Sequence, residues 1–469
     1  MSSFTRGTFL LMAAQGVFML SGYALNVFLA RYFGPEIYGQ FGVAMAVLVW
    51  VEFFVINGAP TAMQKFLSED SDNAAALVKL GRRLQLGYVL VILLLFAAMT
   101  PLISAGLNDS ALEQLLWIAA PDIVLYGLYW FYLGVHSGLH RFESQAFVII
   151  CYALSKAASS IVLVLLGAGI AGALIGNFLA SASGLVIGAW LMQRIKMPPA
   201  TTTEHYSRFT KFAVPVILYT LSINALLYID LLFVKHSLTP AAAGYYTAAA
   251  TIARAPYFIF LGLASTVLPA LSRMLAQENL EAARNLLRHT MRMLFGLLVP
   301  VLILITANAD HVVELLYSRA YDSATPILRL LILGIAMYTL LVVLCTIMSA
   351  DGYPHRAFHI SLGAAVIDVP LCLIFVPMWG AQGAASATLI ASTLGVMAAG
   401  AHVLQRFGSI FPWRSLLRVA IAGTAIFGLT LWWRSMGWML LVELALLFGV
   451  YFFVLYVFGE LKSFEVIQK

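Results

Sequence analysis

Seven charged residues lie inside long apolar runs: Glu52, Asp122, Lys156, Asp230, Arg254, Asp368 and Glu443. A charge in a bilayer costs at least about 2.5 to 3.5 kcal/mol, so each one retained points to a partner or a function. Arg254 stands two residues before Pro256, whose ring removes a backbone donor and loosens the helix there. A guanidinium at that place can hold a phosphate-type anion through forked hydrogen bonds, or it can pair with Glu52. Glu52 can compete for Arg254 or, where desolvated, take up a proton. Asp122 and Lys156 are read as a structural pair. Asp368, just before Pro370, has no basic partner at its depth and is a candidate ion-coupling residue.

Arg31 and Lys235 end the first and seventh apolar runs, with Asn26 and Asp230 about one turn deeper. The two cations could face a cleft as a matched anion site, or simply snorkel to the interface. Asp230 could pair with Lys235. His136 with His140 and His355 with His359 have i,i+4 spacing, but no HExxH glutamate or nearby third ligand accompanies them. Interfacial packing is expected, with no metal and no cofactor. Cys151, Cys345 and Cys372 sit in apolar runs without ligand spacing, so neither a disulfide nor a zinc site is expected.

These residues belong to a chain that is 62% hydrophobic and 10% charged, against roughly 25% charged in soluble domains. An all-α polytopic membrane protein is expected. Apolar runs suggest about 14 spans, near 9–30, 37–59, 84–100, 112–134, 144–166, 171–192, 212–234, 242–266, 291–307, 325–348, 356–376, 381–404, 416–433 and 437–458. Pro121, Pro215, Pro300 and Pro370 are expected bending points within them.

With the N-terminus inside, Arg31, Lys235, Arg319, Arg329 and Arg434 face out and Lys156 and Arg254 lie in spans. That leaves 20 of 27 Lys/Arg on the inner side (27 − 5 − 2), which predicts both termini cytoplasmic. Arg284, Arg288 and Arg292 share a stripe that predicts a basic amphipathic helix along the inner membrane surface. No polar domain displays the net charge of +6, so no nucleic-acid partner is expected.

The chain repeats itself. "LNVFLARYFGPEIYGQF" from Leu25 matches "IDLLFVKHSLTPAAAGYY" from Ile229, pairing Asn26 with Asp230, Arg31 with Lys235, Pro35 with Pro240 and Gly39 with Gly244. "APTAMQKFL" from Ala59 pairs with "LPALSRML" from Leu268, and "GLHRF" from Gly138 with "GYPHRAF" from Gly352. "GIAGALIGNFLASASG" from Gly169 pairs with "GAQGAASATLIASTLG" from Gly380. The matches fall on polar and turn residues, which chance among apolar runs does not favour. Two six-helix pseudo-symmetric bundles in parallel repeat are expected, 1–198 and 199–408, with two added helices and a cytoplasmic tail over 409–469.

The segments "ARYFGPEIYGQFGVAMAV", "GAPTAMQKFLSE" and "AAAGYYTAAATIARAPYFIFLGLASTVLPALSRMLA" resemble the polysaccharide-transport branch of the multidrug/oligosaccharidyl-lipid/polysaccharide exporter superfamily, the Wzx-like flippases. The likeness spans essentially the whole chain. It implies a bacterial inner-membrane flippase, not an enzyme, that moves an undecaprenyl-pyrophosphate-linked oligosaccharide by alternating access through a cavity lined by spans one, two, seven and eight. It also implies contact with membrane lipid, and a polysaccharide polymerase and glycosyltransferases as partners. On that reading the substrate-binding residues are Arg254, Arg31, Lys235, Glu52, Asp230 and Asn26.

A runner-up in the same fold is a proton- or sodium-coupled exporter of small organic cations, although the proposed cavity charges lean basic. A membrane-embedded polymerase or glycosyltransferase is disfavoured, because the first outer loop is about six residues long with Glu36 its single acid.

Overall fold

Prolines and glycines divide the apolar chain into helices. In the computed structural model, which describes residues 3–69, 73–195, 206–411 and 413–460, these are α1 (Ser3–Ile56), α2 (Ala59–Glu69), α3 (Ala74–Gly106), α4 (Ser110–Ala119), α5 (Asp122–Gly138), α6 (Phe142–Leu163), α7 (Gly169–Gln193) and α8 (Tyr206–Ser237). There follow α9 (Pro240–Ala276), α10 (Leu280–Ala307), α11 (Ala309–Tyr317), α12 (Ala324–Ala350), α13 (Pro354–Trp379), α14 (Ala381–Phe407), α15 (Trp413–Trp432) and α16 (Met439–Val457). No strand occurs among the described residues. Lys196, the 198/199 boundary and the tail from 461 onward lie outside them.

Among the described residues, ten helical stretches are long and apolar enough to cross a bilayer, or 11 if the bent α4–α5 pair is one span. Two of the ten, of 61 and 52 residues, far exceed the about 20 residues of one crossing. Each is broken at glycine in the left-handed region that other residues avoid. Gly34 (φ 73°) interrupts α1, and Pro35 restarts the helix; Gly167 (φ 88°) and Gly169 (φ 58°) part α6 from α7 across a π turn. The chain is a multi-pass α-helical membrane protein.

The matched residues of the repeat do matching work. Pro240 opens α9 behind Thr239, whose hydroxyl accepts from the Ala242 N–H, as Pro35 restarts α1. Gly380, between α13 and α14, has φ 62° and ψ −144°, close to the 58° and −150° of Gly169. Gly172 and Gly383 then bring the next helices against their predecessors: a Cβ would meet the Leu163 carbonyl carbon at 3.0 Å and the Phe375 oxygen at 2.0 Å.

The chain forms two compact units, Met1–Leu221 and Ser222–Lys469. In the first, Met63 and Phe66 of α2, Leu77 of α3, Phe131 and Val135 of α5 and Met192 of α7 form a buried core. Gln85 ties α3 to the carbonyls of Val55 and Gly127 at 3.0 and 2.9 Å. In the second, Leu304 of α10 packs with Val419 and Ile426 of α15 and Leu447 and Tyr451 of α16.

One expectation changes. The basic stripe is not a separate surface helix. Arg284, Arg288 and Arg292 occupy the first turns of α10, which continues unbroken into the apolar span, because Leu287 and Met291 are fully buried on the adjoining face. Arg288 donates to the Ser409 carbonyl at 3.1 Å, and Arg292 to the Ser415 hydroxyl at 3.0 Å. Of the four prolines expected to bend spans, Pro121 sits at a 40° bend between α4 and α5. Pro215, Pro300 and Pro370 stay inside continuous helices.

Candidate functional site

Each unit holds its own polar constellation. In the second unit, Asp230 sits on α8, 1% exposed. One carboxylate oxygen accepts the Leu231 N–H at 2.7 Å. The other accepts the Tyr246 hydroxyl of α9 and the Thr388 hydroxyl of α14, the latter at 3.1 Å. Asp368 on α13 is fully buried, close enough to Asp230 for their charges to interact. Cys372, one turn along, reaches its Oδ2 at 3.9 Å, and Oδ1 has no hydrogen-bond partner. Two carboxylates in one low-dielectric site repel when both are ionised, and protonation of either one relieves that repulsion.

Arg254, on α9, is half-buried. Its Nη2 donates to the Leu227 carbonyl, its guanidinium carbon lies 4.3 Å from the centre of the Tyr228 ring, and its Nε has no partner. These neighbours orient the side chain without neutralising it, and its charge is felt at Asp230. No ion pair holds Arg254 to a carboxylate among the described residues.

In the first unit, Asp122 opens α5 behind Pro121 and is 2% exposed. Asn177 of α7 donates to its Oδ2, and Ser181, one turn along, lies beside it. Lys156 of α6 lies close enough to Glu52 of α1 and to Asp122 for their charges to interact, but among the described residues it forms no ion pair with either. Glu52 and Lys156 are half-exposed. Tyr129 and Tyr152 stack behind them, ring centres 4.7 Å apart at 6°, and the Lys156 ammonium lies 6.0 Å from the Tyr152 ring.

The remaining residues singled out from sequence fall elsewhere. Asn26 donates to the Gly22 carbonyl at 2.9 Å and accepts the Tyr38 hydroxyl at 3.0 Å. Its repeat mate Asp230 is likewise met by a tyrosine of the following helical segment, Tyr246. Arg31 is exposed and Lys235 is 4% exposed, so the matched cations have different surroundings. The direct partners seen for Asp230 are Leu231, Tyr246 and Thr388. Glu443 is buried and accepts the Ser435 N–H at 2.7 Å, which ties α16 to the turn before it. His136 contacts the Gly188 carbonyl at 3.0 Å, and His359 that of His355 at 2.6 Å.

Tyr246, Thr388, Asn177 and Ser181 are uncharged and escape a search for charges. The available signal was the repeat: Asn177 and Thr388 occupy the same place in the paired segments from Gly169 and Gly380, as do Ser181 and Ser392.

Comparison with known proteins places this arrangement. Among solved structures, a lipid II flippase MurJ in an inward closed conformation aligns with TM-score 0.77 and 17% identity over 96% of this chain and 98% of that one. An inward-facing multidrug resistance MATE family transporter of the MOP superfamily aligns with TM-score 0.70 and 15% identity, over 84% and 95%. A MOP superfamily transporter from Pyrococcus furiosus, described as having a binding pocket of reversed polarity, aligns with TM-score 0.62 and 15% identity over 87% and 96%. At these identities the likeness is one of fold. No curated protein sequence matches the chain. The family model described as polysaccharide biosynthesis protein matches residues 28–326, well over half of the sequence, and the chain belongs to that family.

Proposed function

We propose that the chain is a flippase that carries an undecaprenyl-pyrophosphate-linked oligosaccharide repeat unit from the cytoplasmic to the outer leaflet of the bacterial inner membrane by alternating access, with both termini cytoplasmic and no covalent chemistry. Family membership supports polysaccharide assembly as the process. The observation that carries the reading is Arg254, a half-buried guanidinium held by a carbonyl and a tyrosine ring. Such a cation is free to bind a pyrophosphate through paired charge-assisted hydrogen bonds. Asp230 and Asp368 supply the coupling: a proton or cation taken up between them removes the repulsion of two buried charges and so favours one packing of α8, α13 and α14 over another. A polysaccharide polymerase and glycosyltransferases are the partners that would consume and supply the cargo.

The test is leaflet translocation of labelled polyprenyl-pyrophosphate oligosaccharide in proteoliposomes, against protein-free vesicles. Loss of one charge-assisted contact corresponds to roughly a 10- to 100-fold effect. Arg254→Ala is expected to lose transport by that order at normal membrane levels, and Arg254→Lys to keep part of it. Equal loss of protein in Arg254→Ala would make the residue structural.

The buried acids of both constellations favour one second reading, a cation-coupled exporter of small organic cations. Ion-driven dye extrusion without lipid translocation would establish it instead.

A further inference from the structure

A cavity of about 280 Å3 opens on the first unit, lined by Arg82, Arg83 and Leu86 of α3, Leu128 and Tyr132 of α5 and Leu185 of α7, none of them a member of either constellation. Its lining is of two kinds. Two residues are adjacent arginines, both exposed and neither paired with a carboxylate among the described residues. The others are three leucines and a tyrosine.

The apolar lining continues beyond the cavity. Leu86, Leu90 and Leu94 recur at helical spacing along α3 and are 43%, 44% and 69% exposed, and in the most apolar stretch of that helix 17% of residues are buried. An exposed apolar track on a spanning helix is a lipid-facing surface. It begins beneath the two arginines.

From these features we infer that the cavity is a binding site for an anionic glycerophospholipid, its phosphodiester on Arg82 and Arg83 and one acyl chain laid over Leu86, Leu128 and Leu185 and on along α3. Charge complementarity selects this occupant. A zwitterionic lipid would bring its own ammonium group against two guanidinium groups. Free phosphate could use the arginines but not the leucines. Basic pockets between spanning helices on the cytoplasmic side are suited to acidic headgroups, and these arginines fall on that side by the distribution of Lys and Arg. No residue of the cavity belongs to the proposed transport site, so the inference stands whether or not the chain is a flippase.

The full-length protein, delipidated in detergent, is titrated with phosphatidylglycerol, phosphatidylcholine or inorganic phosphate. Bound lipid is read by native mass spectrometry and stability by thermal unfolding. Phosphatidylglycerol is expected to stay bound and raise the thermal midpoint where phosphatidylcholine and phosphate do not. Loss of two surface arginines corresponds to about a tenfold or greater loss of affinity, expected for Arg82→Gln/Arg83→Gln. Leu128→Trp, which fills the cavity and leaves the arginines, is expected to weaken binding without changing the lipid-free midpoint.

Equal retention of phosphatidylcholine overturns the proposal on the wild-type protein alone. So does equal stabilisation by phosphate, which would mark a free-anion site. Unchanged phosphatidylglycerol affinity in both variants would place the lipid elsewhere.

Discussion

Asn177 and Thr388 occupy matching positions of the duplicated helices α7 and α14, and each hydrogen-bonds a buried carboxylate of its own unit, Asp122 and Asp230 respectively. The acids themselves are not repeat mates: Asp122 opens α5, whereas Asp230 lies on α8, where its mate is Asn26. The donor position is thus common to both halves, and the charge it serves is not.

Removing either donor leaves a buried carboxylate short of a hydrogen bond, at a cost of about 1 to 3 kcal/mol. Asn177→Leu and Thr388→Val are both expected to lower the thermal midpoint in detergent. Asn177→Leu is expected to lower it more, because Asp230 keeps Tyr246 and Leu231. Adding Asp122→Asn to Asn177→Leu should recover part of the loss, and no recovery would show that Asn177 acts through packing alone.

Asp368 adds a second negative charge beside Asp230 without a cation of its own. Asp368→Asn is therefore expected to raise the thermal midpoint while flattening the pH or sodium dependence of transport. A variant less stable than the wild type, with its ion dependence intact, would remove Asp368 from coupling.

Gly383 and Gly134 are two of the glycines that sit against backbone. A Cβ would lie 2.0 Å from the Phe375 oxygen at Gly383 and 2.2 Å from the Pro60 oxygen at Gly134, whereas at Gly363 nothing lies within 4 Å. Overpacking of this kind costs roughly 1 to 3 kcal/mol. Gly383→Ala and Gly134→Ala should cut folded yield sharply, with Gly363→Ala matching the wild type in the same expression and thermal-melt series.

Glu460, 1% exposed, is clasped by Arg292 of α10 at 3.0 Å and Arg418 of α15 at 2.6 Å. Because the arginines are partly exposed, the cost of Glu460→Gln is on the order of 1 to 2 kcal/mol. The expected result is faster protease cleavage within α15 and α16 and unchanged cleavage in the first unit. Equal protection in the two proteins would show that the apolar contacts of Leu304 and Tyr451 hold these helices unaided.

Much of the fold was legible because helix ends in this chain are marked by local chemistry. Pro35, Pro240, Gly169 and Gly380 stand out in any window that contains them, and they break the helices where the repeat places them. The sites were half legible. Asp230, Arg254 and Asp368 are visible as charges in apolar runs, but the closeness of Asp230 and Asp368 depends on how α8 and α13 are rotated, and a helix apolar on every side gives no sign of that. Thr388 looks like any small residue of a tightly packed helix until Asp230 is found beside it. The place of the basic stripe of α10 is hidden for the opposite reason. Its charges were counted, but their partners, Ser409, Ser415 and Glu460, lie more than a hundred residues further along the chain.

Gly169 and Gly380 also bear on how the two halves are built. A backbone conformation shared to within a few degrees at matched positions means that the two segments turn the chain in the same way. The carboxylates do not match in this way: Asp122 and Asp230 stand on helices that are not counterparts in the repeat. The halves therefore share the break that sets their helices side by side, and differ in which helices carry the buried carboxylates.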